Sequence, residues 1–387
     1  MKKQKICIIG GSLTALTTAV SLSKLDCEID LITGNDNKNL NSSRTIAISE
    51  SNLDFLKRLN IFKSINQQLW PCSTIKLFTE KSDQYFKEIF KISPNRKNKK
   101  ILYVLENSKI SKILMEKINN TKSISIKKNQ KISEIFNSGL LKSIKYNNKI
   151  YKYNLIILCT GSESNLTKSL FGNGTINHSY KETSITTILQ HNTLKNDIAR
   201  QIFLDDEILA FLPISNTLTS IVWSIKNNVM KNNKLLMKRK IKSYAEKFFE
   251  NVSFKTKLEN KNLNFLIRNK YYNDRILLFG DALHVVHPFV GQGFNMIIRD
   301  LSVLEKILLS KTNLGLDLGS SDILSEFSKE AKPRNFLYSV GIDLVKNSFS
   351  LKNEYYKDTR NLIMRSLNKS NFAKSIFFDI ADKGLKF

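Results

Sequence analysis

The stretch RILLFGDALHVVHPFVGQGFNMIIRD, residues 275–300, decides how this chain is read. It opens on an apolar run at 276–279 that predicts a strand, then turns at Gly280-Asp281. A loop holding His287, Pro288, Gly291 and Gly293 follows, and an apolar helical pattern runs from Phe294 to about residue 309. A strand that ends in Gly-Asp can aim a carboxylate at the hydroxyls of a sugar or polyol. A glycine loop emptying into a helix can set backbone N–H groups, and the positive end of the helix dipole, against developing negative charge. Together the two devices suit a flavin, with Asp281 on the ribityl chain and the amides of 291–295 at the pyrimidine end of the ring. Gly-Asp alone is also what an ordinary strand–turn–helix junction carries. The full string is more restrictive, and Asn295 and Asp300 fall on the opening turns of the helix, where polar groups are useful.

A second sign stands at the amino terminus. The run 5–9 (KICII) predicts a strand, Gly10-Gly11-Ser12-Leu13-Thr14-Ala15 a turn into a helix ending near Leu25, and 28–32 a second strand. This βαβ order is the dinucleotide-binding arrangement, with pyrophosphate on the helix N-terminus. Gly10 matches the tight-turn glycine, but Ser12 stands where a bare backbone should approach phosphate, and Ala15 at the helix–strand contact. If position 12 needs a positive φ, a side chain there costs about 1 kcal/mol. Thr33 occupies the place of the acidic ribose partner, with Asp36 the nearest carboxylate. A secretory signal would also open with MKKQK and an apolar run, but this run has no small-residue exit.

These motifs resemble those of the FAD-dependent aromatic-ring hydroxylases, the class A flavoprotein monooxygenases. Within them they are most similar to the branch that hydroxylates ubiquinone precursors, which reads roughly G(D/N)AAHxxHPxAGQGxNxGxxD at the place of residues 280–300. Ser43-Arg44-Thr45-Ile46-Ala47-Ile48-Ser49 is similar to the RxxALS block, whose arginine lies beside the isoalloxazine. Residues 102–107 (LYVLEN) are similar to LGYVVEN, and Asn107 falls where relatives set an amide against FAD. Residues 155–162 (LIILCTGS) stand where the family reads ADG, with Thr160 in place of the aspartate. The segments Phe211-Leu212-Pro213-Ile214 and Ile221-Val222-Trp223-Ser224 resemble its LLP and LVW strands. The alternatives are plain ones: Arg44 in a surface ion pair, and Asn107 as the cap of a helix starting at Ser108. Departures fall at Ser12, Thr33 and Thr160, and the resemblance, patchy between motifs, runs from residue 5 to about 350.

The resemblance implies an α/β fold. A doubly wound, Rossmann-like FAD-binding domain would be interrupted by an antiparallel-sheet substrate domain, p-hydroxybenzoate-hydroxylase-like, with C-terminal helices. The expected boundaries are 1–72, 96–175 and 268–345 for the first, 73–95 and 176–267 for the second, and 346–387 for the helical segment. It implies cofactor contacts at Gly10, Gly11, Ser12, Arg44, Asn107, Gly280, Asp281, Pro288, Gly291, Gln292, Gly293, Phe294 and Asn295, with FAD as cofactor and no metal. NADH or NADPH would visit as a transient co-substrate, and O2 would hydroxylate the ring of a polyprenyl-phenol ubiquinone precursor. Two other readings share these motifs. One is a flavoenzyme of the same fold, a prenyl reductase or a halogenase, although the halogenase WxWxIP signature is missing and Trp70 and Trp223 lie far apart. The other is a non-catalytic scaffold in a biosynthetic complex.

Composition and periodicity narrow the rest. A chain of 387 residues can bury a substantial core and suits one cofactor domain plus a smaller one. Period-2 alternation predicts strands at 73–90, 183–189, 208–213 and 219–225, with βα character up to about residue 170 and a helix over 233–250. Cys7, Cys27, Cys72 and Cys159 sit singly, which fits a reducing compartment and speaks against structural zinc or a disulfide framework. A net charge of +27 invites a nucleic-acid partner, but the lysines are diffuse and no nucleic-acid-binding pattern is present. An anionic membrane surface is the better candidate, at roughly 1 kcal/mol for each Lys or Arg beside it. Segment 360–387 interleaves Leu362, Ile363, Met364, Leu367, Phe372, Ile376 and Phe377 with Arg365, Lys369, Lys374 and Lys383. It reads as a docking surface or as a pair of helices packed on the cofactor domain. No run approaches the roughly 18 consecutive apolar residues of a spanning helix. The expected place is therefore cytoplasmic, peripheral on the inner membrane face, with the membrane or a quinone-biosynthesis complex as partner.

Overall fold

The computed structural model describes residues 3–34, 43–81, 85–94, 99–172, 174–205, 207–227, 233–349 and 354–384. The chain opens as β1 (Gln4–Ile9), α1 (Leu13–Leu22) and β2 (Cys27–Ile32). Helix α1 is buried along its whole length. Its threonines are tolerated because Thr17 and Thr18 return their hydroxyls to the carbonyls of Leu13 and Thr14, each at 2.8 Å. Next come β3 (Thr45–Ser49), α2 (Glu50–Arg58), α3 (Phe62–Asn66), β4 (Trp70–Cys72) and the antiparallel pair β5 (Thr74–Lys81) and β6 (Tyr85–Ile92). Strand β7 (Leu102–Glu106) leads through α4 (Asn107–Asn119) to β8 (Ile124–Lys127).

A meander of β9 (Ile132–Ser138), β10 (Leu141–Tyr146) and β11 (Lys149–Tyr153) then intervenes where unbroken βα alternation was expected. Its turns explain the difference. Gly139 sits at φ +64°, and Asn147 and Asn148 at +48° and +57°, the backbone that tight two-residue hairpins require. After β12 (Leu155–Leu158) and α5 (Asn165–Phe171) the chain forms β13 (Thr175–Gln190), β14 (Ile198–Phe203), β15 (Glu207–Pro213) and β16 (Leu218–Lys226). Helix α6 (Lys234–Ala245) and strands β17 (Ser253–Phe254), β18 (Glu259–Arg268), β19 (Tyr272–Asn273) and β20 (Ile276–Leu278) follow. A 3-10 turn at Gly280–Ala282, β21 (His284–Val285) and helices α7 (Gln292–Asn313), α8 (Ser321–Phe349), α9 (Glu354–Lys369) and α10 (Asn371–Lys383) complete it.

One sheet has the order β19-β20-β12-β1-β2-β8, parallel except for β19. Its central strands are unbroken apolar runs because both faces are covered, and Leu155 to Leu158 are all fully buried. The larger sheet runs β21-β18-β13-β16-β15-β14-β5-β6, with β17 paired to β13. It is antiparallel apart from the β14–β5 pair, so strands from 74–92 sit in one sheet with strands from 175–268. Trp223, Phe211 and Ile221 pack with α6 residues in one core beside this sheet, while Ile75, Phe90 and Leu212 belong to another. A small sheet, β3-β7-β4, stands apart from both. Helix α7 packs against α1, α2, β3 and α8. This α/β architecture, doubly wound sheet, antiparallel sheet and C-terminal helices, is the one the resemblance implied.

The four cysteines are free and buried. Among the described residues no helix is long and apolar enough to cross a membrane. Helix α9 lies on β6, and α10 packs on α2, β3, β6 and α9. Met364, Leu367 and Phe377 are therefore packing residues, whereas Leu362, Ile363, Phe372 and Ile376 remain exposed, Phe372 at 77%.

Candidate functional site

The parallel sheet brings the expected cofactor motifs to one edge. Ile9, Leu158 and Leu278 end three neighbouring strands in register. The turns that follow them, at Gly10, Cys159 and Gly280, therefore lie together at the carboxyl ends of the strands, where open α/β sheets bind ligands. Gly10 has φ +147°, and a Cβ there would come within 2.5 Å of the Cys159 carbonyl oxygen. Gly280 has φ +63°, and its Cβ would strike Thr14 Cγ2 at 2.5 Å. Only glycines let the Gly-Asp turn seat on the first turn of α1. Burial pushes the Cys159 thiol up to about 12, so it stays protonated and is no nucleophile beside this turn.

The three departures from the family pattern have structural accounts of different strength. Ser12 is extended, φ −78° and ψ 168°, and stands just before α1. The strain anticipated for a side chain at a positive φ does not arise. Helix α1 has no acidic residue in its first turn, so its N-terminal amides and dipole stay available to an anion. The Thr33 N–H donates to the Lys127 carbonyl at 3.0 Å, and Asp36 lies outside the described residues. Thr160 pairs its hydroxyl with that of Thr167 at 2.9 Å. We have no physical account of why threonine replaces an acid at either place.

At the loop before α7, Gly291 is left-handed, φ +68°, and a Cβ there would come within 2.8 Å of Ala47 Cβ. The side chains that follow are already committed. Asn295, 1% exposed, accepts from Ser49 N and Asn52 Nδ2 and donates to the Ala47 carbonyl, at 3.0, 2.9 and 2.9 Å. Gln292 Oε1 accepts from the Tyr338 hydroxyl at 2.7 Å, and Phe294 lies in the core. What the 292–295 run can offer a ligand is therefore its backbone, the amides of a helix start that has no acidic residue and no side-chain cap.

Asn107 is not the cap of a helix starting at Ser108. It is the first residue of α4, and the extended Glu106 precedes it. Its backbone N–H donates to the Arg44 carbonyl at 2.9 Å, which sets these two expected cofactor residues side by side. The Asn107 Oδ1 is buried without a hydrogen-bond partner among the described residues, an orphan that a bound group with an N–H or O–H would satisfy. Arg44 does form the ion pair considered as its alternative, to Glu259 with Nε–Oε2 at 3.7 Å. It also lines a cavity of about 210 Å³ with Pro288, Gly291, Lys261, Leu212 and Val222. Gly10, Asn107 and Asp281 are not among its lining residues. Lys261 links the two regions, since it pairs with half-exposed Asp281 at 3.9 Å, the one ion pair of that carboxylate among the described residues.

Sequence reasoning missed Lys261, Glu259, Glu182 and Lys346. No spacing signal joins them to the loop, because each reaches it from another strand or helix. His287 Nε2 lies 3.3 Å from Glu182 Oε2, and Lys346 Nζ lies 2.7 Å from Glu182 Oε1, all three buried. His284 Nε2 lies 2.8 Å from Asp300 Oδ2. Both histidines of the loop are thus anchored to carboxylates on neighbouring elements.

The family described as "FAD binding domain" matches residues 3–335. Among curated proteins, the chain is 22% identical to "Ubiquinone biosynthesis monooxygenase COQ6, mitochondrial" of Dictyostelium discoideum, over 97% of this chain and 90% of that one. It is 21% identical to "Ubiquinone hydroxylase UbiM" of Neisseria meningitidis, over 94% and 81%. Among solved structures, p-nitrophenol 4-monooxygenase PnpA of Pseudomonas putida superposes with a TM-score of 0.82 at 14% identity, covering 100% of both chains.

Proposed function

The chain belongs to the FAD-binding-domain family, and from that premise we propose that it is an FAD-dependent monooxygenase hydroxylating the aromatic ring of a polyprenyl-phenol ubiquinone precursor. The observation that carries this reading is the span of the likeness. The match to a ubiquinone monooxygenase covers 97% of the chain, and so includes both the cofactor motifs and the antiparallel sheet that walls the cavity. On this reading 1–72, 96–175 and 268–345 form the cofactor unit, 73–95 and 176–267 the substrate unit, and 346–387 a helical appendage.

FAD held there would supply the redox chemistry of the reaction, in which NADH or NADPH provides two electrons, one oxygen atom of O2 enters the ring and the other leaves as water. The protein's part is to bind, orient and exclude water. The backbone of Gly10, Gly11 and Ser12 and the start of α1 would hold the pyrophosphate. Asp281 would accept from the ribityl hydroxyls, and the Asn107 Oδ1, unpaired among the described residues, would accept an N–H or O–H of the cofactor. The amides of Gln292, Gly293 and Phe294 would stabilise negative charge at the ring, with Pro288 and Gly291 shaping the loop beside it. Leu212, Val222 and Leu263 supply an apolar wall of the cavity, suited to a phenol ring and able to keep water out.

The test uses FAD-loaded protein and a short-chain polyprenyl phenol. NAD(P)H oxidation is expected to require O2, to rise on adding the phenol, and to yield a ring-hydroxylated product. Oxidation that proceeds equally without O2 would mark a reductase and end the monooxygenase reading. Quinone profiling of a deletion strain would then name the ring position by the intermediate that accumulates.

The greasy tail implies a second contact. Burying each CH2 is worth about 0.8 kcal/mol, so the substrate stays in a membrane or a lipid-binding partner. Helices α9 and α10 leave Leu362, Ile363, Phe372 and Ile376 exposed, with Lys369 and Lys374 nearby in sequence. Lys383 is paired with Asp379 at 2.7 Å, and the Arg365 Nε is buried, so those two are poorer candidates for a surface. Reversing Lys369 and Lys374 to Glu is expected to weaken sedimentation with anionic liposomes without changing FAD content. Undiminished sedimentation would move the docking surface elsewhere.

A further inference from the structure

A second cavity, of about 360 Å³, shares no lining residue with the first and is built from four helices. Ser51, Asn52, Phe55 and Arg58 come from α2, Met296 to Val303 from α7, Ala331 to Tyr338 from α8, and Lys383 with Gly384 from the end of α10. Among the described residues four cations line it, Arg58, Arg299, Arg334 and Lys383, against one carboxylate, Asp300. That carboxylate is already engaged, accepting from Asn335 at 2.8 Å and lying 2.8 Å from His284 Nε2. Three of the cations have partners: Arg58 donates to the Ser302 hydroxyl, Arg334 pairs with Glu330, and Lys383 with Asp379.

Arg299 is different. Both terminal nitrogens of its guanidinium are buried and form no well-aligned hydrogen bond among the described residues, and the Tyr338 hydroxyl is the acceptor within their reach. The group is held in place, 4.6 Å over the ring of Tyr338, and Gly384 crosses so close that a Cβ there would lie 2.6 Å from Nη1. A buried guanidinium whose terminal nitrogens are left without a well-aligned, charged acceptor is costly unless an anion completes it. The cavity lies within the size range of small-molecule sites, about 300–1,000 Å³, and is larger than a lone oxyanion requires. Arginines from three different helices suit an anion with several acceptor edges, as a phosphoryl group has, better than a flat carboxylate. Phe55, Met296 and Val303 add an apolar portion.

We propose that this cavity binds a phosphorylated small molecule, its phosphoryl group on Arg299 with Arg58, Arg334 and Lys383 around it. The site is separate from the dinucleotide turn at Gly10, and it stands one side chain from the cofactor loop. Tyr338, which stacks on Arg299, donates to Gln292, and Asp300 holds His284.

The experiment is calorimetric titration of the FAD-loaded full chain with inorganic pyrophosphate, so that the cofactor's own pyrophosphate site is already filled. One saturable site is expected. Arg299→Gln should weaken it about ten- to a hundredfold, the loss of one charge-assisted hydrogen-bonding group. Arg334→Gln, at a side chain 42% exposed and so of little risk to folding, should weaken it in the same direction. Lys149→Gln, on the exposed meander, should leave it unchanged. A repeat with phosphatidic-acid vesicles distinguishes the sources. If Arg334→Gln also lowers vesicle binding, the phosphoryl group is a lipid's, and if only pyrophosphate binding falls, it belongs to a soluble ligand. Absence of saturable binding, or equal affinity in wild type and both arginine variants, would mean diffuse adsorption to a chain of charge +27 and would overturn the proposal.

Discussion

Asp281→Ala is expected to leave the protein colourless after purification, with FAD affinity lowered about ten- to a hundredfold, the range for one hydrogen bond to a charged group. The carboxylate is half-exposed and its ion pair is a loose one, Lys261 at 3.9 Å. Its contribution to the fold is therefore small. The close contact of the turn with α1 runs through Gly280 and Thr14, not through the Asp281 side chain. Thermal stability of the FAD-free variant should accordingly match that of FAD-free wild type, while the flavin absorbance after gel filtration disappears. A variant that stays yellow with unchanged affinity would remove Asp281 from the cofactor site. A variant that unfolds would show instead that the carboxylate holds the turn.

Lys346→Met is expected to destabilise the protein by about 3–5 kcal/mol at neutral pH, the cost of removing one partner from a buried ion pair. Lys346 on α8, Glu182 on β13 and His287 before Pro288 are all buried, so the charge left on Glu182 has no solvent to turn to. Burial opposes ionisation of Glu182, but the hydrogen bonds from His287 and Lys346 outweigh it and hold the carboxyl below its ordinary value. A carboxyl lowered in the folded state stabilises above its unfolded value, about 4.3, and that stabilisation fades as pH falls through the folded value. With Lys346 gone, burial dominates and the carboxyl takes up a proton more readily. The deficit of the variant should therefore be largest at neutral pH and shrink below about pH 4. Urea denaturation of both proteins at the two pH values measures this. A deficit under about 1 kcal/mol, or one independent of pH, would mean that the three groups are not coupled as described.

The local parts of the site were legible in the residues. Strand, glycine turn and helix start follow one another within a few positions, and each is written in short-range chemistry. Apolar runs make strands that are covered on both faces, and glycines mark backbone that other residues avoid. That is why 5–32 and 275–300 could be read at once. Local rules also failed locally. The cap that asparagine favours, the alternative to a cofactor contact for Asn107, is not formed, because the helix takes this residue in as its first. The meander over β9–β11 interrupts the expected βα alternation, and Asn147 and Asn148 mark its turn. The side chains of Asn295 and Gln292 bond to Ala47, Ser49, Asn52 and Tyr338, which leaves the backbone amides of that run, as expected from the residues, for a ligand.

By itself, then, the sequence determined the α/β class, the two cofactor motifs and the glycines each turn needs, because these depend on backbone conformation and on periodicities of a few residues. Only the tertiary structure decided what those glycines touch: Cys159 against Gly10, Thr14 against Gly280 and Ala47 against Gly291. It alone joined Glu182 to His287 and Lys346, and set the buried Arg299 guanidinium over Tyr338 in a cavity of four helices. A buried charge must find its partner wherever packing brings one, and no spacing rule along the chain records which distant element that will be.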